Sequence, residues 1–204
     1  VGLYKDIDSF IFDQTTDKVI EDPTRLGADA NLAGEEFSVS QPLNGDGARV
    51  AGYELVWQQP FDNLLPEPLH GFGITANFTH LNSDANFEAN IIGEDQAAGA
   101  GGVTEGLGGQ AFGLPGISED VFNTTLYYQK HDVQVRVSWN LRDDFLLSPA
   151  GDEGQPLFET KYDQIDAFVA YQVTPRVSVF WEGINLNDEI QKRFSGPGRK
   201  TELI

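Results

Sequence analysis

From Val133 to Arg142 the chain alternates without a slip between apolar residues (Val133, Val135, Val137, Trp139, Leu141) and polar ones (Gln134, Arg136, Ser138, Asn140, Arg142). A period of two sends successive side chains to opposite faces, so this run predicts a β-strand with one apolar and one polar face. The pattern recurs. Ala51, Tyr53, Leu55 and Trp57 alternate with Gly52, Glu54, Val56 and Gln58; Phe72, Ile74, Ala76 and Phe78 with Gly73, Thr75, Asn77 and Thr79. Phe122, Thr124, Leu126 and Tyr128 follow the same rule, as do Ile165, Ala167, Val169, Tyr171 and Val173. Strands are predicted over 1–11, 47–61, 71–85, 120–130, 133–146, 158–173 and 176–189, the last changing phase near Gly183-Ile184 as at a bulge.

The connections come in two sizes that alternate. Pro60 to His70, Lys130-His131-Asp132 and Thr174-Pro175 are short; 12–46, 86–119, 147–157 and 190 onward are long and read as loops without strands. In an antiparallel meander this places every short turn on one edge and every long loop on the other, as in a transmembrane β-barrel. A strand of ~10 residues tilted by ~40° covers ~25 Å, the height of the apolar band of such a barrel. Trp57, Phe61, Phe72, Tyr128, Phe145, Tyr162 and Tyr171 lie toward strand ends, where interfacial girdles sit, although strands are rich in aromatics in any case. The predicted fold class is therefore all-β: an antiparallel meander forming part of a large barrel, an open curved sheet of about seven to eight strands.

Composition fits. Mean hydropathy is −0.32, and no run approaches the ~18 apolar residues of a spanning helix. The net charge of −19 excludes a nucleic-acid partner, which needs a basic footprint. Residues 13–46 carry eight acids and two bases and residues 84–120 seven acids and no base, so −13 of the −19 lies in two loops. The chain has no cysteine and no methionine and begins inside a strand-like stretch; a fragment cut at both ends is expected.

The faces then divide by role. Tyr53, Leu55, Trp57, Phe72, Ile74, Phe78, Leu126, Val133, Val135, Val137, Trp139, Ile165, Val169 and Tyr171 are expected to face lipid. Glu54, Gln134, Arg136, Asn140, Arg142, Asp166 and Glu182 are expected to face the lumen, with Arg136 and Asp166 as a candidate ion pair. Ligand contacts are expected at aromatic loop tips: Phe87, Phe112, Phe145 and Phe158. The Gly-rich stretch 97–109 reads as a flexible loop.

Catalytic readings are weaker than bland ones. His70, His80 and His131 are too scattered for a metal site. Glu54 and Glu182 resemble a glycosidase pair only in residue type, and polar lumen positions explain both. Asn44-Gly45-Asp46-Gly47 reads as a turn, and no phosphate loop, zinc signature or nucleophile elbow is present. Neither a metal, a cofactor nor an enzymatic activity is expected.

Several runs together resemble the late barrel strands of TonB-dependent outer-membrane receptors. They are Lys5–Ile11, Phe72–Asn82, Leu114–Lys130, Val135–Leu146, Tyr162–Phe168 and Thr174–Glu189, the last two similar to that family's penultimate hairpin. The resemblance spans nearly the whole chain and rests on the order of these motifs. It implies a plugged barrel of the ~22-stranded kind, from which the plug, the TonB box and the closing strand would be missing here. It further implies active import of a scarce or bulky nutrient, an oligosaccharide or a ferric siderophore, with outer-membrane lipid, a small-molecule or glycan ligand and, through the missing plug, the TonB complex as partners. Localisation would be the Gram-negative outer membrane, long loops outside. Two alternatives are a small closed barrel with a structural or adhesion role, Arg199–Ile204 starting its eighth strand, and a secreted β-sandwich that binds or hydrolyses carbohydrate.

Overall fold

The computed structural model describes residues 1–87, 112–149, 156–195 and 201–203. The strands in chain order are β1 (Gly2–Ile7), β2 (Phe10–Val19), β3 (Glu36–Gly45), β4 (Gly47–Pro60), β5 (Phe72–Asn86), β6 (Asp120–Lys130) and β7 (Val133–Arg142), then β8 (Phe145–Ser148), β9 (Leu157–Glu159), β10 (Tyr162–Thr174), β11 (Val177–Gly183), β12 (Arg193–Ser195) and β13 (Thr201–Leu203). Seven form one sheet in the order β1-β4-β5-β6-β7-β10-β11, every pair antiparallel. The sheet is open, with β1 and β11 on its edges. Its neighbours are hairpin partners or strands joined across a long excursion, the meander predicted from the alternation.

Register fixes the faces. Leu55 lies opposite Phe78, Phe78 opposite Phe122, and Phe122 opposite Leu141. Below that row, Trp57, Ala76, Thr124, Trp139 and Ile165 are successive partners, and Phe72, Tyr128, Val135, Val169 and Trp181 form another row. Across β4, β5, β6, β7, β10 and β11 one face is thus largely apolar, and much of it lacks protein cover: Trp139 is 37 % and Leu55 59 % exposed, while Phe78, Phe122 and Ile165 are half-buried among their neighbours. On β6 this face is bounded by Asp120 at one end and Lys130 at the other. Ten residues at ~3.3 Å and a tilt of ~40° make the interval ~25 Å.

Connections 61–71, 131–132 and 175–176 lie on one rim; the excursions after β1, β5, β7 and β11 lie on the other. His131 takes a positive φ of 54° in its two-residue turn. Gly52 is required where β4 crosses β5 closely, since a Cβ there would strike the carbonyl of His80.

The long excursions are more structured than their composition suggests, and this corrects the sequence reading. Residues 12–46 are not a bare loop: β2 and β3 form a hairpin of ten residues a side, joined through two single-turn 3-10 segments. The predicted strand 1–11 breaks at Asp8-Ser9, so β1 joins the large sheet and β2 the hairpin. Residues 133–146 break at Asp143-Asp144, and 147–157 is flanked by the paired strands β8 and β9, which with β12 and β13 make a second sheet. Arg199–Ile204 does not start an eighth strand of the large sheet, because β13 pairs with β12. The Gly-rich stretch 97–109 lies outside the described residues.

Past Gly183 no bulge continues β11. Asn185 turns the chain at φ 56°, and Asn187 Oδ1 takes the Ile165 amide at 2.9 Å in place of a strand partner. The register irregularity of this hairpin sits at its other end, between Gln172 and Thr174.

Candidate functional site

The protein's apolar core is at the rim of long excursions. Phe12, Phe87, Phe112 and Leu146 are buried together, with Phe10, Leu43, Ala85 and Phe158 packed around them. Phe87 meets Phe12 and Phe10 edge-on at 5.2 and 5.3 Å between ring centroids. Phe158 contacts Phe112 at 5.8 Å and stacks on Phe194 at 4.9 Å. These rings come from four separate excursions, because each loop alone has too little apolar surface to order itself. Of the four aromatics expected at loop tips, Phe87, Phe112 and Phe145 are buried, and Phe158 packs on the same cluster.

Arg142 ties this rim to the large sheet. Its Nε donates to Ser118 Oγ at 2.8 Å and its Nη2 to the Gly116 carbonyl at 3.0 Å. The guanidinium also lies 3.8 Å above the Phe145 ring, a cation–π contact. Ser118 is only 4 % exposed, so its hydroxyl depends on that bond.

The second face of the large sheet holds all seven residues expected in the lumen: Glu54, Gln134, Arg136, Asn140, Arg142, Asp166 and Glu182. Arg136 does not pair with Asp166. Arg136 sits opposite Phe168, and Asp166 opposite Ser138. With the Gln134 amide oriented so that its oxygen faces the guanidinium, Arg136 donates to it from Nε at 3.2 Å. Asp166 accepts instead from Gln164 Nε2 at 2.6 Å and the Asn185 amide at 2.9 Å. Two neighbours reachable within its own strand and the adjoining turn outcompete a cross-strand diagonal. Glu54 and Glu182 lie on strands five places apart in the sheet. At ~4.8 Å per strand that is on the order of 20 Å, whereas carboxylate pairs that cleave glycosides sit ~5–9.5 Å apart.

Register also assembles groups not singled out from the sequence. Asn77, Asn123, Asn140 and Gln164 are successive cross-strand partners on β5, β6, β7 and β10. The next row of the same face runs Thr75, Thr125, Ser138 and Asp166, with Thr125 and Ser138 hydroxyls 2.9 Å apart. The row after that runs Gly73, Tyr127, Arg136, Phe168 and Glu182. Apart from Gly73 and Phe168, these residues are the polar members of their strands' alternation. That they align depends on turn lengths, which patterning does not specify.

The polar boundary of the apolar face is marked by His80, whose Nδ1 lies 2.8 Å from Asp120 Oδ1, and by Arg49, whose Nε donates to Asp6 at 3.1 Å. Both pairs are at the end toward the long excursions.

Residues 2–186 match the family model described as TonB dependent receptor-like, beta-barrel. No curated protein and no solved structure matches the chain. A seven-stranded antiparallel sheet with one largely apolar face, one polar face and all long excursions on one rim is what that match requires. The chain belongs to the family of TonB-dependent receptor β-barrels, receptors and transporters of the Gram-negative outer membrane rather than enzymes.

Proposed function

We propose that this chain is one part of the barrel wall of an active importer that takes a scarce or bulky nutrient, an oligosaccharide or a ferric siderophore, across the outer membrane. In this reading the face carrying Leu55, Leu126, Val137, Trp139 and Val169 touches acyl chains. The face carrying Glu54, Gln134, Arg136, Asn140, Arg142, Asp166 and Glu182 lines the lumen. The rim built around Phe87 and Phe112 stands outside the cell. The plug and the TonB contact belong to parts of the receptor outside these 204 residues. The observation that carries the reading is the largely apolar face shared by the six sheet strands β4, β5, β6, β7, β10 and β11, which spans the ~25 Å that separates Asp120 from Lys130 on β6. In water such an area drives association; in a bilayer it is satisfied.

Single cysteines decide the matter in the full-length receptor in cells. Leu126→Cys should resist a membrane-impermeant maleimide while Gln134→Cys, in the lumen, reacts. A cysteine in the β2–β3 turn region, Ala28→Cys, should label on intact cells. Equal labelling at positions 126 and 134 would sink the lipid assignment, and protection at position 28 would place the rim inside.

A further inference from the structure

We infer that the connection 61–71 is a foot on the membrane surface: Leu64 and Leu69 enter the headgroup region of the leaflet at the short-turn rim, and phospholipid is their partner. This rests on the wall reading above and adds a second, shallower lipid contact to it. The connection is long for its place. Eleven residues join β4 to β5, where two suffice from β6 to β7 and from β10 to β11.

The segment is firmly built yet turned inside out. The Phe61 amide closes the hairpin on the Phe72 carbonyl at 2.8 Å, and the Leu64 and Leu65 amides both donate to the Phe61 carbonyl at 2.9 Å. A single 3-10 turn, Glu67–Leu69, follows Pro66, and the Leu69 amide returns to the Pro66 carbonyl at 2.8 Å. Two polar side chains are spent on the loop's own backbone: Asp62 Oδ1 accepts from the Gly71 amide at 2.6 Å, and His70 Nε2 donates to the Leu65 carbonyl at 3.1 Å. The leucines are left outside, Leu64 67 % and Leu69 44 % exposed. A single exposed leucine means little on a protein surface. A loop that ties its polar groups to its own backbone and presents leucines instead is built for an apolar medium, where unpaired polar groups are costly and leucines are not.

Two contacts set the side of the wall on which the foot lies. Lys130 closes the apolar face on β6, and its Nζ donates to the Glu67 carbonyl at 2.8 Å. At Gly71, where φ is 99°, a Cβ would stand 2.8 Å from that of Lys130. Both draw residues 67–71 over the apolar side of the wall and away from the lumen. There the foot adjoins the lower end of the apolar face, where the Phe72 and Tyr128 rings meet at 4.7 Å and Trp57 is exposed. Aromatics of this kind mark the level of the headgroups. The leucines therefore continue a surface already assigned to lipid. Glu67 and Lys130 hold the insertion shallow, since carboxylate and ammonium both stay among headgroups, the lysine stem lying along apolar surface with its charge at the edge.

The test uses the full-length receptor in a cysteine-free background, reconstituted in phospholipid vesicles, with folding monitored by heat-modifiable migration. Leu64→Cys, Leu69→Cys, Arg176→Cys and Leu126→Cys are labelled singly with an environment-sensitive fluorophore. Vesicles carry lipid spin-labelled either near the headgroup or at mid-chain. Interfacial segments sink their apolar side only ~5–10 Å into the headgroup boundary, so the headgroup-proximal label should quench positions 64 and 69 about threefold more than position 176. Mid-chain spin label should quench position 126 best. Quenching at 64 and 69 no greater than at 176 overturns the foot, and if position 126 is still quenched the wall reading stands. Positions 64 and 69 shielded from maleimide in cells but unquenched in vesicles overturn it as well, because a protein then covers the leucines. A receptor unquenched at 126 overturns the wall and the foot together.

Discussion

Trp139 and Phe87 are both large aromatics, yet the protein treats them oppositely. Trp139, on the wall, points away from the chain and stays 37 % exposed; Phe87, at the rim, is 6 % exposed inside a cluster of other loops' side chains. The wall has no interior of its own, because a single sheet layer can bury one face only against something else. In the proposed barrel lipid supplies that cover along the membrane band, and above the band, in water, the excursions must build a core from their own residues. The same hydrophobic effect turns apolar side chains outward below and inward above.

The strongest way to break this contrast is at the rim. Phe87→Ala removes a buried ring that two others meet edge-on, a change that costs ~3–5 kcal/mol in packed cores. The loss should stay local: hydrogen exchange in β2 and β3 should speed up sharply while the large sheet keeps its protection and heat-modifiability. If the whole barrel unfolds together with the hairpin, rim and wall are one cooperative unit and the contrast fails. The wall yields the mirror experiment. Leu126→Arg alters a side chain that is already 54 % exposed, so a water-facing reading predicts almost no effect. Facing the middle of a bilayer it should cost ~2–4 kcal/mol, read as a lower midpoint in urea-driven unfolding from liposomes.

The two regions were not equally legible in the sequence. The five central wall strands announce themselves because each carries about four or five alternations, as in Val133–Arg142, and their faces followed from that; the edge strands β1 and β11 are less regular. Rim strands are short or diluted. β3 alternates Phe37, Val39 and Leu43 among Ser, Gln, Pro and Asn, and β9 and β12 have three residues each. Their order comes from contacts between excursions far apart in the chain, which local pattern does not encode. Phe87, Phe112, Phe145 and Phe158 drew notice as aromatics in polar loops, but that Phe87, Phe112 and Phe158 join one cluster while Phe145 lies under Arg142 is tertiary information. Likewise Asn140 was visible as a polar wall residue, whereas its alignment with Asn77 and Asn123 is set by the lengths of two hairpins. The Arg136–Asp166 pair was expected from charge and proximity of strands; the local amides of Gln134 and Gln164 took both partners.

A smaller effect tests the seam between the regions. Arg142→Ala leaves the buried Ser118 hydroxyl and the Gly116 carbonyl without their donor. Unsatisfied groups of this kind cost ~1–3 kcal/mol. Residues 116–118 should then exchange faster and become accessible to protease, with β7 itself unaffected. Arg142→Lys should rescue little, since a single ammonium cannot serve both acceptors and cover the Phe145 ring in the geometry of the planar guanidinium.

The smallest expected effect separates a side chain's acceptor from its donor at the end of β11. Asn187 Oδ1 holds the Ile165 amide, while Nδ2 donates to the carbonyl and carboxylate of Asp163 at 2.7 and 2.9 Å. Asn187→Ala removes both functions, but the site is exposed and water can replace them, so the loss should be about 1 kcal/mol. Asn187→Asp keeps an acceptor for Ile165 yet sets a second carboxylate against Asp163. Repulsion should make it no better than Ala at low ionic strength, and the penalty should shrink as salt screens the pair. Exchange at the Ile165 and Leu186 amides reads the outcome, since Leu186 N–H donates to the Ile165 carbonyl at 2.8 Å in the same clasp. If the Asp variant instead matches wild type at all salt concentrations, the donor half of the clasp is dispensable. The end of the wall would then be held by the acceptor on residue 187 and by the backbone, without the bonds to Asp163.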